Sequence, residues 1–222
     1  MPIIRNNSIS SVKYDETVYS FVSLKTKLQR IAVASALFLT ANALSIPISS
    51  YANKTYGTTG RTAVLSNARF LGVPRGALVS FVDFFMYTPV TIRETLKGNS
   101  VEWHSGATVE DATDVFQDQH IDSVVLIGHG SQGGYECADG GIDADSISCY
   151  VPKKSGDLVQ YTCGSPKNYT LADLLLQDNT RVYRFNRWSC AVDGYALAWY
   201  RVFSKKEKPT DTVPVNFAYR SR

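Results

Sequence analysis

Two residues of this 222-residue chain stand where chemistry can be done. His129 lies in Gly128-His129-Gly130-Ser131, directly after the apolar run Val124-Val125-Leu126-Ile127, and Cys190 closes the segment VYRFNRWSC. A thiolate is a nucleophile, and an imidazole within hydrogen-bond reach can take the thiol proton and later protonate a leaving amine. One cysteine and one histidine therefore suffice for acyl transfer. Gly130 has no side chain, so its backbone N–H can approach a developing oxyanion, and the N–H of Cys190 can supply a second donor. No cofactor is implied, and no metal. The four cysteines (Cys137, Cys149, Cys163, Cys190) include no C-x-x-C, and His104, His120 and His129 are not grouped with them at any ligand spacing.

The elements that must position these residues read as an α/β pattern. Residues 76–86 (GALVSFVDFFM) form a short apolar run expected to be a strand, and residues 100–104 a weaker one. Residues 108–119 start with Thr108, carry Asp111 three places on, and set Val109, Ala112, Val115 and Phe116 on one face, which predicts a capped amphipathic helix. The unbroken apolar end of residues 121–127 predicts a strand buried on both faces of a parallel sheet. Residues 132–168 read as a long polar loop holding Cys137, Cys149, Cys163 and the acidic Asp139, Asp143 and Asp145. A capped helix at 170–177, a strand at 180–188 and a helix at 195–203 follow. The order predicts an α/β layered sandwich with a central, mostly parallel sheet. Ligands bind outside the carboxyl ends of such strands. If the strands before His129 and Cys190 are neighbours, both side chains stand on one rim.

The blocks VVLIGHGSQGG and VYRFNRWSC resemble the caspase-like cysteine peptidases, the group of caspases, legumains, gingipains, separases and bacterial CHAT-domain proteases. In that group an apolar strand ends in His-Gly, and the next strand ends in a small residue followed by the catalytic cysteine. The resemblance implies a caspase-like fold, a peptide or protein substrate, His129 as general base or acid, Cys190 as nucleophile and Gly130 as an oxyanion donor. Gly-His-Gly-Ser looks most like the separase and CHAT branch, and Arg187-Trp188-Ser189-Cys190-Ala191 departs from the caspase signature Q-A-C-[RQG]-G. Arg184, Asn186 and Arg187 make the last strand too polar for the centre of a sheet, which predicts either an edge or a carboxyl half that is already loop. A serine-hydrolase elbow is excluded: His129 occupies a position that G-x-S-x-G reserves for glycine, and no histidine follows it. The competing expectation is a non-catalytic secreted binding protein or toxin-like module of the same fold, stapled by two disulfides, with Cys190 paired.

Composition narrows the class. The chain is 44% hydrophobic and 19% charged, with 23 Lys and Arg against 20 Asp and Glu, so it can bury a core and is not a nucleic-acid binder by charge. The +3 excess sits in residues 1–30, where Arg5, Lys13, Lys25, Lys27 and Arg30 outnumber Asp15 and Glu16. Residues 31–39 (IAVASALFL) then run into Ala41-Asn42-Ala43, a small-x-small cleavage pattern, with a second one at Ser50-Tyr51-Ala52. The expectation is an export signal over 1–43, cut after Ala43 or Ala52. An exposed lead-in over 44–61 and one α/β domain over 62–222 would follow it, the product being secreted or periplasmic. A membrane partner enters only if the segment is left uncut. Oligomeric state has no residue-level signal.

Overall fold

The computed structural model describes residues 13–67, 75–147, 150–163, 167–177, 182–184 and 191–203. The chain divides into two compact units, with the boundary between Leu44 and Ser45. The first unit is dominated by one apolar helix, α1 (Lys13–Tyr56), whose last turns belong to the second unit.

The second unit is built on five parallel strands. They are β1 (Gly60–Asn67), β2 (Asn99–Ser105), β3 (Ser123–Gly128), β6 (Leu158–Tyr161) and β7 (Val182–Arg184), in the order β2-β1-β3-β6-β7. A separate antiparallel hairpin, β4 (Gly134–Glu136) and β5 (Gly141–Asp143), follows β3. The helices are α2 (Arg75–Leu96), α3 (Val109–Gln117), α4 (Leu171–Leu175) and α5 (Ala191–Phe203).

Alternation along the strands separates two apolar cores. Ala63, Leu65, Val124, Leu126 and Leu158 face α3, α4 and the hairpin, meeting Val115, Phe116, Leu171 and Leu175. Val64, Val125, Ile127, Val159 and Tyr161 face α2 and α5, meeting Met86, Val90 and Leu197. A central strand covered on both faces must be apolar at every position, which is why β3 reads as a continuous hydrophobic run. The expected α/β architecture with a parallel central sheet is present. Both capped helices begin where the sequence places them: Thr108 and Thr170 each accept the N–H three residues on, from Asp111 and Asp173, whose carboxylates bind back to the cap N–H.

Four local expectations are corrected. Residues 76–86 are not a strand but the first half of α2, whose Val82, Met86 and Val90 recur at helical spacing against the sheet. The aromatic and β-branched composition of that run points to a strand, and tertiary packing overrides it. Residues 44–61, expected as an exposed lead-in, are largely exposed but not irregular. The helix continues to Tyr56, and buried Asn53 donates to Thr95 Oγ1 and the Asn99 carbonyl (both 2.8 Å) and accepts from the Val101 N–H (2.9 Å). β1, which carries no strand reading of its own, lies between β2 and β3. Finally, the polar stretch 132–168 is no structureless loop, since it contains the hairpin and β6.

At the amino ends of the strands a charged network ties α2, β6 and α5 together. Glu94 accepts from Thr62 Oγ1 (2.9 Å), Asn99 Nδ2 (3.0 Å) and Lys97 Nζ (3.2 Å). Lys97 also bonds Asp157, and Arg201 meets Asp157 (3.7 Å) and donates to the Tyr161 hydroxyl (3.2 Å). Burial pushes the Glu94 carboxyl up, but Lys97, Arg201 and the bonds from Asn99 and Thr62 outweigh it and hold it below its ordinary range.

Candidate functional site at the carboxyl rim of the sheet

At the carboxyl edge, the strand registers define who stands beside whom. Ser66 of β1 pairs with Ser105 of β2 and with Ile127 of β3, and Asn67 pairs with Gly128. Ile127 in turn pairs with Tyr161 of β6. The pairing ends there: His129 follows the last residue of β3 by one position and Cys163 follows the last residue of β6 by two. Adjacent parallel strands lie about 4.8 Å apart, and β3 and β6 are direct neighbours, so both residues follow adjacent strands at the carboxyl edge of the sheet.

His129 is exposed and Cys163 is half-buried. The peptide that turns β3 into the hairpin is shaped by glycine. Gly128 has φ +135°, and a Cβ there would come 1.8 Å from the Asn67 carbonyl oxygen, so no other residue fits. A Cβ on Gly130 would lie 2.6 Å from the Gly134 carbonyl oxygen.

Around these glycines the turn is tightly held. Ser131 N–H donates to Gly134 O (2.9 Å) and Glu136 N–H to His129 O (3.1 Å), which makes Gly130 and Tyr135 a facing pair that exchanges no bond of its own. The Gly130 N–H is thereby directed away from the hairpin, as an oxyanion donor must be. Tyr135 OH donates to Ile127 O (3.2 Å), Gln160 Nε2 to Ser131 O (3.1 Å) and Asn67 Nδ2 to Glu136 O (2.8 Å). From α2, Asp83 accepts from Ser66 and Ser105, closing the β1 and β2 side of the rim. The histidine is thus presented by a rigid loop, which limits the motion between it and whatever it must contact.

Cys190 lies outside the described residues, one position before α5 begins at Ala191. The premise that placed it beside His129 is not met. β7, the strand before it, does occupy an edge, as its polarity predicts, but β6 stands between β7 and β3. Two strand spacings are about 10 Å. The residue overlooked in the sequence is Cys163. Its signal is the short run Leu158-Val159-Gln160-Tyr161 immediately before Thr162-Cys163, a four-residue strand hidden in a stretch of Gly, Ser, Lys and Asp.

Cys137 is a different case. It is fully buried beneath α3 with an unbridged sulfur, and burial, reinforced by Asp139, Asp111 and Glu136, pushes its thiol up to about 12. A thiol held so high is a poor nucleophile, and among the described residues neither Cys137 nor Cys163 is bridged. Cys149 lies outside the described residues. Among those residues, no cluster of three His, Cys, Asp or Glu could hold a metal ion. No family model and no curated protein matches the chain.

Proposed function

We propose that the chain is a caspase-like cysteine peptidase whose nucleophile is Cys163 and whose general base and acid is His129. The single observation supporting this reading is the direct pairing of β3 with β6, whose carboxyl ends lead into His129 and Cys163. The resemblance to caspase-like peptidases requires His-Gly and a cysteine at the ends of adjacent strands, with a small residue before the cysteine. Thr162 and Cys163 follow the strand adjacent to β3, whereas Ser189 and Cys190 lie outside the described residues.

In the proposed reaction His129 takes the Cys163 thiol proton as the sulfur attacks a peptide carbonyl, and the imidazolium then protonates the leaving amine. Water hydrolyses the resulting thioester and regenerates the thiol. The N–H groups of Gly130 and Cys163 would hold the oxyanion of each tetrahedral intermediate. The exposure of His129 suits a peptide or protein substrate.

The test is alkylation by iodoacetamide at pH 7, mapped by mass spectrometry in the unreduced full chain and in His129→Ala, Cys163→Ser and Cys190→Ser variants. An ordinary thiol with a pKa near 8.5 is only about 3% thiolate at pH 7. Labelling of Cys163 should therefore fall about 10- to 30-fold in His129→Ala, and Cys163→Ser, unlike Cys190→Ser, should abolish cleavage of a peptide library. Cys163 labelling indifferent to His129, or His129-dependent labelling at Cys190 instead, would defeat the assignment.

A further inference from the structure

Within the first unit, α1 has no polar face. Over residues 26–44, Leu28 and Leu39 lie on one side of the helix, Val33, Leu37 and Leu44 on the opposite side, and Ile31 and Phe38 between them, all exposed. A helix that is apolar all round is stable inside a protein core or a bilayer. Here almost none of its apolar window is buried among the described residues.

These 19 residues span ~28 Å at 1.5 Å per residue, close to the ~30 Å hydrocarbon thickness of a membrane. Lys25 precedes this span and Lys27 and Arg30 lie in its first turns, from which such long side chains snorkel to the interface, and no further charge occurs until Lys54. We infer that α1 is a retained single-span membrane anchor, with its basic end on the cytoplasmic side and the α/β unit on the other. The partner of this surface is the lipid bilayer.

Two observations separate an anchor from a leader that is cut away. First, a peptidase must hold its substrate extended, yet α1 runs unbroken through both small-x-small sites, Ala41-Asn42-Ala43 and Ser50-Tyr51-Ala52. Asn42 Nδ2 donates to the Phe38 carbonyl one turn back (2.9 Å), a bond within the helix across the first site. Second, the turns that follow are fastened to the α/β unit. Ser45 Oγ bonds Thr88 Oγ1 (2.8 Å), and Asn53 makes its three bonds to Thr95, Asn99 and Val101. Unwinding residues near either cleavage site would release these contacts.

The test uses the full chain with a carboxyl-terminal tag, expressed in a bacterial host and fractionated. The anchored protein should keep its uncut mass, stay in the membrane pellet through an alkaline carbonate wash, and expose its tag to protease added outside spheroplasts. A Leu37→Asp, Leu39→Asp double variant should leave the pellet while melting at the wild-type temperature. A soluble product beginning at Leu44 or Asn53, an uncut chain released by carbonate, or a double variant that stays wash-resistant would each overturn the inference. Mass and partition are the readouts, so its failure is independent of the peptidase assignment.

Discussion

Replacing Gly128 with alanine should cost about 4 kcal/mol of folding stability. One contribution is backbone strain: a residue with a side chain held at φ +135° costs about 1–3 kcal/mol. The other is overlap, since the new Cβ would sit 1.8 Å from the Asn67 carbonyl oxygen. That oxygen belongs to the backbone of the neighbouring central strand and cannot rotate away, so the strands must separate, at an overpacking cost of about 1–3 kcal/mol. For a domain of this size each kcal/mol lowers the melting temperature by about 2–4 °C, so the expected drop is about 8–16 °C. Gly106→Ala is the internal control. Its φ of +69° is also positive, but no heavy atom lies within 4 Å of the added carbon, so only the dihedral cost of about 1 kcal/mol applies. Urea unfolding followed by circular dichroism, with calorimetric melts of both variants, measures the difference. If Gly128→Ala loses no more stability than Gly106→Ala, the close β1–β3 approach that shapes the His129 turn is wrong.

Glu94→Gln should destabilise the fold by about 3 kcal/mol at pH 7, because it leaves Lys97 and Arg201 facing a neutral group in a buried network. Because Glu94 is held below its unfolded value, its contribution is present above that value, near 4.5, and lost as pH falls through the folded one. The variant should therefore show a shallower loss of stability between pH 5 and 3 than wild type, measured by urea midpoints at each pH. Cys137, with its thiol pushed up to about 12, should resist iodoacetamide at pH 8 until denaturant is added, and labelling of the native protein at Cys137 would contradict its placement in the core. Thr108→Ala should cost about 1 kcal/mol by removing the capping box of α3, read as a small shift in the urea midpoint.

Local chemistry made part of this protein legible from its residues alone. The capping boxes at Thr108 and Thr170 are short-range hydrogen-bond patterns, and they start helices wherever those residues occur with an acid three places on. The run ending in Ile127 declares a strand buried on both faces, because nothing else makes four consecutive apolar residues useful before a glycine turn. His129 and its glycines, and the polarity that puts β7 at an edge, are legible for the same reason.

What tertiary structure decided is adjacency. Strand order depends on which hydrophobic faces meet after the chain has crossed the sheet, and no local pattern encodes that β6 lies between β3 and β7. That single fact moves attention from Cys190, which follows a long and visible segment, to Cys163, which follows four residues of strand in a polar stretch. Packing likewise turned the β-prone residues 76–86 into a helix, since Val82, Met86 and Val90 gain more by covering the sheet than by joining it. The residue types available for chemistry are thus written in the chain, but which strand ends become neighbours is decided only when distant segments pair in the folded sheet.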